Sequence, residues 1–171
     1  MNGNVYKIQV QAGSFKGRCS RTSGIKNGKI RVLLVENEMP LAMMMVFALT
    51  RVGCDVEAVH TGKKGLALAF EQRFELIALD AKLPDMDGFN LCSELQQRRI
   101  SRKTPIIVIF PDPDPENIAE SSKRGAVDYI VKPFDMTDFI YRIVLHARAK
   151  SSQDTISAKG RDNLRAGRCY G

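Results

Sequence analysis

Five short, largely apolar runs recur along the chain, and each is followed by a stretch with helical character. The runs are 31–35, 55–59, 74–79, 105–110 and 127–131. Apolar strands that alternate with helices are typical of a parallel sheet covered by helices on both faces. We therefore predict an α/β fold with a doubly wound, five-stranded parallel sheet.

Proline, threonine and glycine mark the ends of the helices between these runs. Pro40 suits the first turn of a helix, and Thr61 is a suitable N-cap. Gly53 and Gly125 each follow a periodic stretch, as glycine often does at helix C-termini. The predicted helices span 41–51, 62–70, 89–98, 115–123 and 135–149.

The net charge of +7 is concentrated at the two ends of the chain. Residues 1–30 contain six Lys/Arg and no acid, and residues 147–171 contain six Lys/Arg and two Asp, which leaves −3 for residues 31–146. Such polar, basic ends bury too little apolar surface to offset the entropy of ordering. We predict a disordered basic extension at 1–29, a domain at 30–149 and a disordered basic tail at 150–171.

The two basic ends leave some alternatives open. Residues 5–11 alternate as a strand does, which would allow a short N-terminal strand. Basic tails can contact nucleic acid or an anionic membrane surface. A solubilising extension is the favoured interpretation, so nucleic acid is not an expected partner.

Several classes of protein are disfavoured by the sequence. No apolar run approaches the length of a membrane span, and no export signal is recognisable, so we expect a cytoplasmic protein. The four cysteines are scattered without a CxxC pair, which indicates reduced thiols and not a disulfide framework or zinc site. These cysteines are Cys19, Cys54, Cys92 and Cys169.

Polar residues follow the predicted strands where a parallel sheet presents its binding site. The first strand is followed by Glu36, Asn37 and Glu38, the third by Asp80 and the fifth by Lys132. We expect these three acids, one amide and one lysine to converge. Crowded carboxylates repel one another unless a cation intervenes, and Mg²⁺ is the expected hard cation.

This arrangement can perform phosphoryl chemistry. A carboxylate can act as the nucleophile, while the metal and the lysine neutralise charge during transfer. The simpler alternative for Asp80 is an ordinary turn acid, but a carboxylate that ends an apolar central strand is costly without a purpose. A flavodoxin-like electron carrier fits less well, because a flavin phosphate needs a Ser/Thr/Gly cradle after the first strand.

Two motifs, LDAKLPDMDG around Asp80 and GAVDYIVKPF around Lys132, resemble those of the receiver domain of two-component response regulators. The resemblance covers about residues 29–150 and includes the acidic end of the first strand. It implies a flavodoxin-like strand order of 2-1-3-4-5. It also implies that Asp80 is the phosphoacceptor and that Lys132 binds the phosphate.

The resemblance extends to the metal site and the switch residues. Glu36 and Asn37 match the metal-binding pair of the family, and Asp80 would complete the Mg²⁺ site together with the backbone carbonyl of Lys82. Tyr129 matches the aromatic residue that changes exposure on activation. In this family the peptide bond before the proline that follows the lysine is often cis.

The implied function is that of a stand-alone response regulator in phosphorelay signal transduction. It would receive a phosphoryl group from a sensor histidine kinase or a phosphotransfer protein. It would then act on a downstream protein, with a homodimer through the last helix face as a further option. No enzyme activity beyond self-phosphorylation and dephosphorylation is expected.

The sequence departs from the family pattern at three positions. Asn37 replaces a second acid, and we hypothesise that Glu38 compensates through water. Phe110 stands where the family has a Ser/Thr hydroxyl, and Pro111 stands where a backbone N–H reaches the phosphate. Each lost donor is worth about 1.5–3 kcal/mol. These losses keep open the alternative of a degenerate receiver that binds its partner independently of phosphorylation.

Overall fold

The computed structural model describes residues 29–98, 100 and 104–149. The predicted tail at 150–171, the alternating segment 5–11 and all of the predicted extension except Lys29 lie outside the described residues. The boundaries proposed for the domain therefore stay predictions. Among the helices of the described part, none is long and apolar enough to cross a membrane.

The described chain contains five strands and five helices in strict alternation. The strands are β1 (Arg31–Val35), β2 (Asp55–Val59), β3 (Leu76–Asp80), β4 (Ile106–Phe110) and β5 (Asp128–Val131). The first four helices are α1 (Met39–Arg51), α2 (Gly62–Glu71), α3 (Gly88–Gln97) and α4 (Pro115–Lys123), and α5 covers residues 136–149. Each predicted element is confirmed, with ends that move by no more than two residues.

The strands form one parallel sheet in the order β2-β1-β3-β4-β5, which confirms the predicted fold. The chain reverses its direction of winding between β1 and β3, which are neighbours in the sheet. The carboxyl ends of these two strands therefore lie side by side, as expected of a binding site in an open α/β sheet.

Helices cover both faces of the sheet, and this explains why the strands are apolar throughout. One core layer joins one face of the strands to α1 and α5, through residues that include Met45, Leu49, Phe139 and Ile143. The other layer joins the opposite face to α2 and α3, through residues that include Ala69, Leu91, Cys92 and Leu95. β3 and β4 are buried at every residue, including the residues at their carboxyl ends, Asp80 and Phe110.

The loop between β3 and α3 is shaped by a glycine and an aspartate. A Cβ atom on Gly88 would lie 2.5 Å from the carbonyl oxygen of Asp80 and 2.7 Å from Cα of Ala81, so the helix can approach the strand only without a side chain there. Asp85 accepts hydrogen bonds from the backbone N–H groups of Gly62 (2.7 Å) and Lys63 (2.9 Å) at the start of α2. The loop is thus packed against the end of β3 at Gly88 and is bonded to the start of α2 through Asp85.

Two of the four cysteines that the sequence predicts to be reduced lie within the described residues. Cys54 and Cys92 are buried free cysteines, and burial raises the pKa of each to about 11. This agrees with structural thiols of low reactivity. Cys19 and Cys169 lie outside the described residues.

Candidate functional site

The ammonium group of Lys132 contacts three carboxylates at the carboxyl ends of the strands. Its Nζ atom lies 2.6 Å from Oδ2 of Asp80, 2.9 Å from Oε1 of Glu38 and 3.0 Å from Oε2 of Glu36. An ammonium group has three N–H donors. The ammonium donates hydrogen bonds to Glu38 and Asp80 and forms an ion pair with Glu36, so the three acids expected to converge do so around the lysine.

The strands position these groups directly. Asp80 is the last residue of β3, whereas Glu36 and Lys132 are the first residues after β1 and β5. The backbone N–H of Glu36 donates a hydrogen bond to the carbonyl oxygen of Val59 (3.0 Å), and that of Lys132 donates one to the carbonyl oxygen of Phe110 (2.7 Å). The sheet ladder thus continues one residue past β1 and β5, and this fixes the backbone from which each side chain projects.

The two buried acids are held in the same way. Glu36 is fully buried and Asp80 is 3% exposed. In each, one carboxylate oxygen lies within ion-pair distance of the Lys132 ammonium, and the other accepts a hydrogen bond from a backbone N–H, that of Glu38 (2.9 Å) or Lys82 (2.7 Å). Asp80 also accepts a hydrogen bond from the ammonium, whereas Oε2 of Glu36 is buried without a hydrogen-bond partner. Both carboxylates are therefore oriented by fixed backbone donors as well as by the lysine. The Lys132 bond to Pro133 is cis, in agreement with the family pattern.

Burial and charge act in opposite directions on the protonation of this site. Burial raises the pKa of Glu36 to about 7. The negative charge of Asp80 also raises this pKa, whereas the hydrogen bond from the Glu38 N–H and the nearby Lys132 ammonium lower it. For Lys132, burial lowers the pKa, but its hydrogen bonds to Asp80 and Glu38 and its ion pair with Glu36 outweigh that effect, so the pKa is raised. The lysine is thus charged at all physiological pH values. A single ammonium nevertheless faces three carboxyl groups.

The donor set of the site suits a hard metal ion. Carboxylate oxygens of Glu36, Glu38 and Asp80 all lie within 4.8 Å of one another. Oxygen ligands with net negative charge are those that Mg²⁺ prefers. The residues present therefore fit the metal that the sequence predicts. Asn37 is exposed at the rim, and Lys82 brings its backbone next to Asp80.

Phe110 lies at the end of β4 as part of an aromatic cluster. Its side chain is 1% exposed, and its ring centroid lies 5.8 Å from that of Phe89 and 6.5 Å from that of Tyr129, which it meets edge-on. The side chain of Tyr129 is directed outward and is 39% exposed. An apolar ring therefore occupies the position where the family resemblance implies a hydroxyl.

The two acids in the loop before α4 already have partners. Asp112 lies 3.9 Å from the ammonium of Lys82, and both side chains are about three-quarters exposed, so this ion pair contributes little. Asp114 is the N-cap of α4 and accepts hydrogen bonds from Glu116 N–H and the Asn117 amide. Both loop acids are thus engaged in local contacts.

Two of the specific contacts that shape the site leave little or no signal in the sequence. The direct ion pair of Glu38 with Lys132 joins residues 94 positions apart, and only the converging strand ends hint at it. The capping of α2 by Asp85 had no signal in the sequence, because Thr61 already fills the N-cap position.

Replacing Lys132 with methionine is expected to lower the free energy of unfolding by about 2–4 kcal/mol, because three carboxylates then lose their shared cation. Urea unfolding monitored by circular dichroism measures this loss. Lys123→Met is the matched control, because the Lys123 ammonium lies 3.8 Å from one exposed carboxylate and should contribute less than about 1 kcal/mol. Equal losses in the two variants would contradict the account of the site.

Comparison with known proteins agrees with this geometry. Residues 32–144 match the family model described as the response regulator receiver domain. Response regulator ArlR of Staphylococcus saprophyticus is 35% identical over 130 residues, which are 76% of this chain and 58% of that protein. ArlR of Staphylococcus aureus is 34% identical over 130 residues, with the same coverage. The chain thus spans well under two-thirds of the length of these curated relatives.

Solved structures show the same similarity. A CheY-like receiver domain protein from Methanospirillum hungatei superposes with a TM-score of 0.68 at 27% identity, covering 73% of this chain and 98% of that one. The chemotaxis response regulator CheY4 of Vibrio cholerae gives a TM-score of 0.63 at 28% identity, covering 67% and 98%. With the sheet order and the matched motifs, these findings show that the chain belongs to the response regulator receiver domain family, which acts in phosphorelay signal transduction.

Proposed function

We propose that Asp80 accepts a phosphoryl group from a phosphohistidine on a sensor kinase or a phosphotransfer protein. The observation that carries the proposal is the buried carboxylate of Asp80 at the tip of the central strand, 2.6 Å from the ammonium of Lys132. A carboxylate in this position is oriented for attack, and the adjacent cation can neutralise the charge that develops on the phosphoryl oxygens.

The transfer exchanges one bond to phosphorus for another. An oxygen of Asp80 bonds to phosphorus while the bond from phosphorus to the donor imidazole nitrogen breaks. The electron pair of that bond stays on the nitrogen, which takes up a proton from water. Lys132 holds the incoming phosphoryl oxygen as a point charge, and the Lys82 N–H keeps the Asp80 carboxylate oriented.

A magnesium ion belongs to this proposal. When bound, Mg²⁺ neutralises charge on the phosphoryl oxygens and on the carboxylates during transfer. The resemblance to the family assigns Glu36, Asn37, Asp80 and the backbone carbonyl of Lys82 to the ion. Glu36 and Asp80 support that assignment, because both are buried with carboxylate oxygens facing the same space.

The response to phosphorylation should differ from the family pattern. Phe110 has no hydroxyl with which to bond the phosphoryl group, and Pro111 has no N–H. The ring of Phe110 also fills the space beneath Tyr129. The phosphorylated form should therefore be stabilised less, and Tyr129 should stay outward after Asp80 is modified.

The protein that donates the phosphoryl group would dock on α1. This helix begins one residue after Glu38, and its solvent-facing side carries four exposed apolar residues, at 43–60% exposure: Met39, Met43, Met44 and Phe47. A contiguous apolar face beside a reactive group is typical of a protein-binding site. A phosphohistidine on a partner that covers this face would be close to Asp80.

Other surfaces fit the remaining partners in the proposal. The exposed ring of Tyr129 lies beside α5 and offers a contact for a downstream protein. Tyr141 and Leu145 on α5 are also exposed, which would allow a homodimer through the last helix face. The proposed setting is the cytoplasm, where sensor kinases transfer phosphoryl groups, and the chemistry of the chain would be limited to its own phosphorylation and dephosphorylation.

Incubation with acetyl phosphate and Mg²⁺ should add the mass of one phosphoryl group to the chain, in a base-labile form. Intact-protein mass spectrometry measures the gain, and Asp80→Ala should abolish it. The matched control is Asp55→Ala, which removes an exposed acid at the opposite end of the sheet. If wild type gains no mass while a known receiver domain does, the result overturns the proposal and favours the alternative of a phosphorylation-independent binding module.

Met44→Lys should slow phosphoryl transfer from an autophosphorylated histidine kinase that labels wild type, by about tenfold, because it places a charge in the docking surface. Labelling by acetyl phosphate should be unchanged, since Met44 is 60% exposed and outside the site. Ala67→Lys is the control, because Ala67 is exposed on α2, across the sheet. Equal kinase rates for both variants would remove α1 from the interface.

A further inference from the structure

Glu38 occupies the N-cap position of α1 but does not cap the helix. Its backbone is extended (φ −78°, ψ 99°), as N-cap residues are, yet its carboxylate makes no capping hydrogen bond. The carboxylate bonds the ammonium of Lys132 instead, at 2.9 Å. Its orientation is therefore set by the site and is not explained by the needs of the helix.

The backbone holds Glu38 close to the two buried acids. Its N–H donates to Oε1 of Glu36 at 2.9 Å, which turns the chain back over the end of β1. As a result, a carboxylate oxygen of Glu38 lies within 4.8 Å of ligand oxygens on both Glu36 and Asp80.

Charge also distinguishes Glu38 from Asn37. The amide of Asn37 offers a dipole, whereas a carboxylate offers a full charge to a hard cation. When all three carboxylates are ionised, as the ligands of a cation are, they and the ammonium carry a net charge of −2. That charge matches a divalent ion, and without Glu38 the local charge would fall to −1.

We propose that Glu38, and not Asn37, is the metal-ligating acid of the loop after β1, and that it leaves Lys132 when the metal binds. Among the three carboxylates around Lys132, the side chain of Glu38 is the most exposed, at 59% against 0% for Glu36 and 4% for Asp80. Its bond to the lysine is thus the least costly to break. The N–H that it releases is then available to an incoming phosphoryl oxygen.

The inference rests on the proposed metal site but does not depend on phosphoryl transfer. Its test is therefore the equilibrium binding of Mg²⁺ to the full chain, measured by isothermal titration calorimetry in the absence of any phosphoryl donor. Thermal unfolding without metal checks that each variant is folded, which is expected for Glu38→Gln because the amide oxygen can still accept from Lys132.

Glu38→Gln should weaken Mg²⁺ binding by about tenfold or more, and Asn37→Ala should change it by less than about threefold. Glu71→Gln is the charge-matched control, because Glu71 is exposed at the end of α2, and it should bind as wild type does.

The other possible outcomes contradict the Glu38 inference, the proposed function, or both. Wild-type affinity in Glu38→Gln, or a larger loss in Asn37→Ala, overturns the inference and leaves the proposed phosphoacceptor intact. Absence of Mg²⁺ binding in wild type overturns both the inference and the metal dependence of the proposed function. Mg²⁺ binding as inferred, without any phosphoryl mass gain, overturns the proposed function alone.

Discussion

The ion pair between Lys132 and Asp80 joins the ends of two strands that are separated by β4 in the sheet. It brings a cation to a buried carboxylate that would otherwise be unpaired, and Glu36 and Glu38 share the same cation. The fold positions the residues that make this contact. The parallel sheet aligns the strand ends, and Gly88 lets α3 approach β3. Because three carboxylates surround a single ammonium, the site has a donor set that suits a metal ion.

Most of the fold could be predicted from the sequence because the relevant patterns are local. Apolar strands, Pro40 and Thr61 at helix starts, and Gly53 and Gly125 after helix ends are each set by nearby residues. Gly53 and Gly125 indeed have φ values of +90° and +95°, which glycine adopts without strain. The strand order required the family resemblance, since periodicity alone does not say which strands are neighbours.

The site was predictable only in part, for physical reasons that differ between residues. Asp80 and Lys132 could be found because a charged residue at the end of an apolar strand is costly unless it has a role. The orientation of Glu38 could not, because an exposed glutamate at a helix start has many available rotamers and its partner lies far along the chain. The sequence places Phe110 at the end of the predicted fourth strand, but its packing between Phe89 and Tyr129 depends on the tertiary structure.

The protein belongs to the receiver domain family, and we propose that it combines an intact phosphoacceptor with an altered response to phosphorylation. A crystal structure of the chain with Mg²⁺ and beryllofluoride, a mimic of the phosphoryl group, tests that description most directly. It should show beryllofluoride on Asp80, Lys132 in contact with a fluorine atom, and Tyr129 still outward above Phe110. An unmodified Asp80 that still shares Lys132 with Glu36 and Glu38, under conditions that modify another receiver domain, would contradict it.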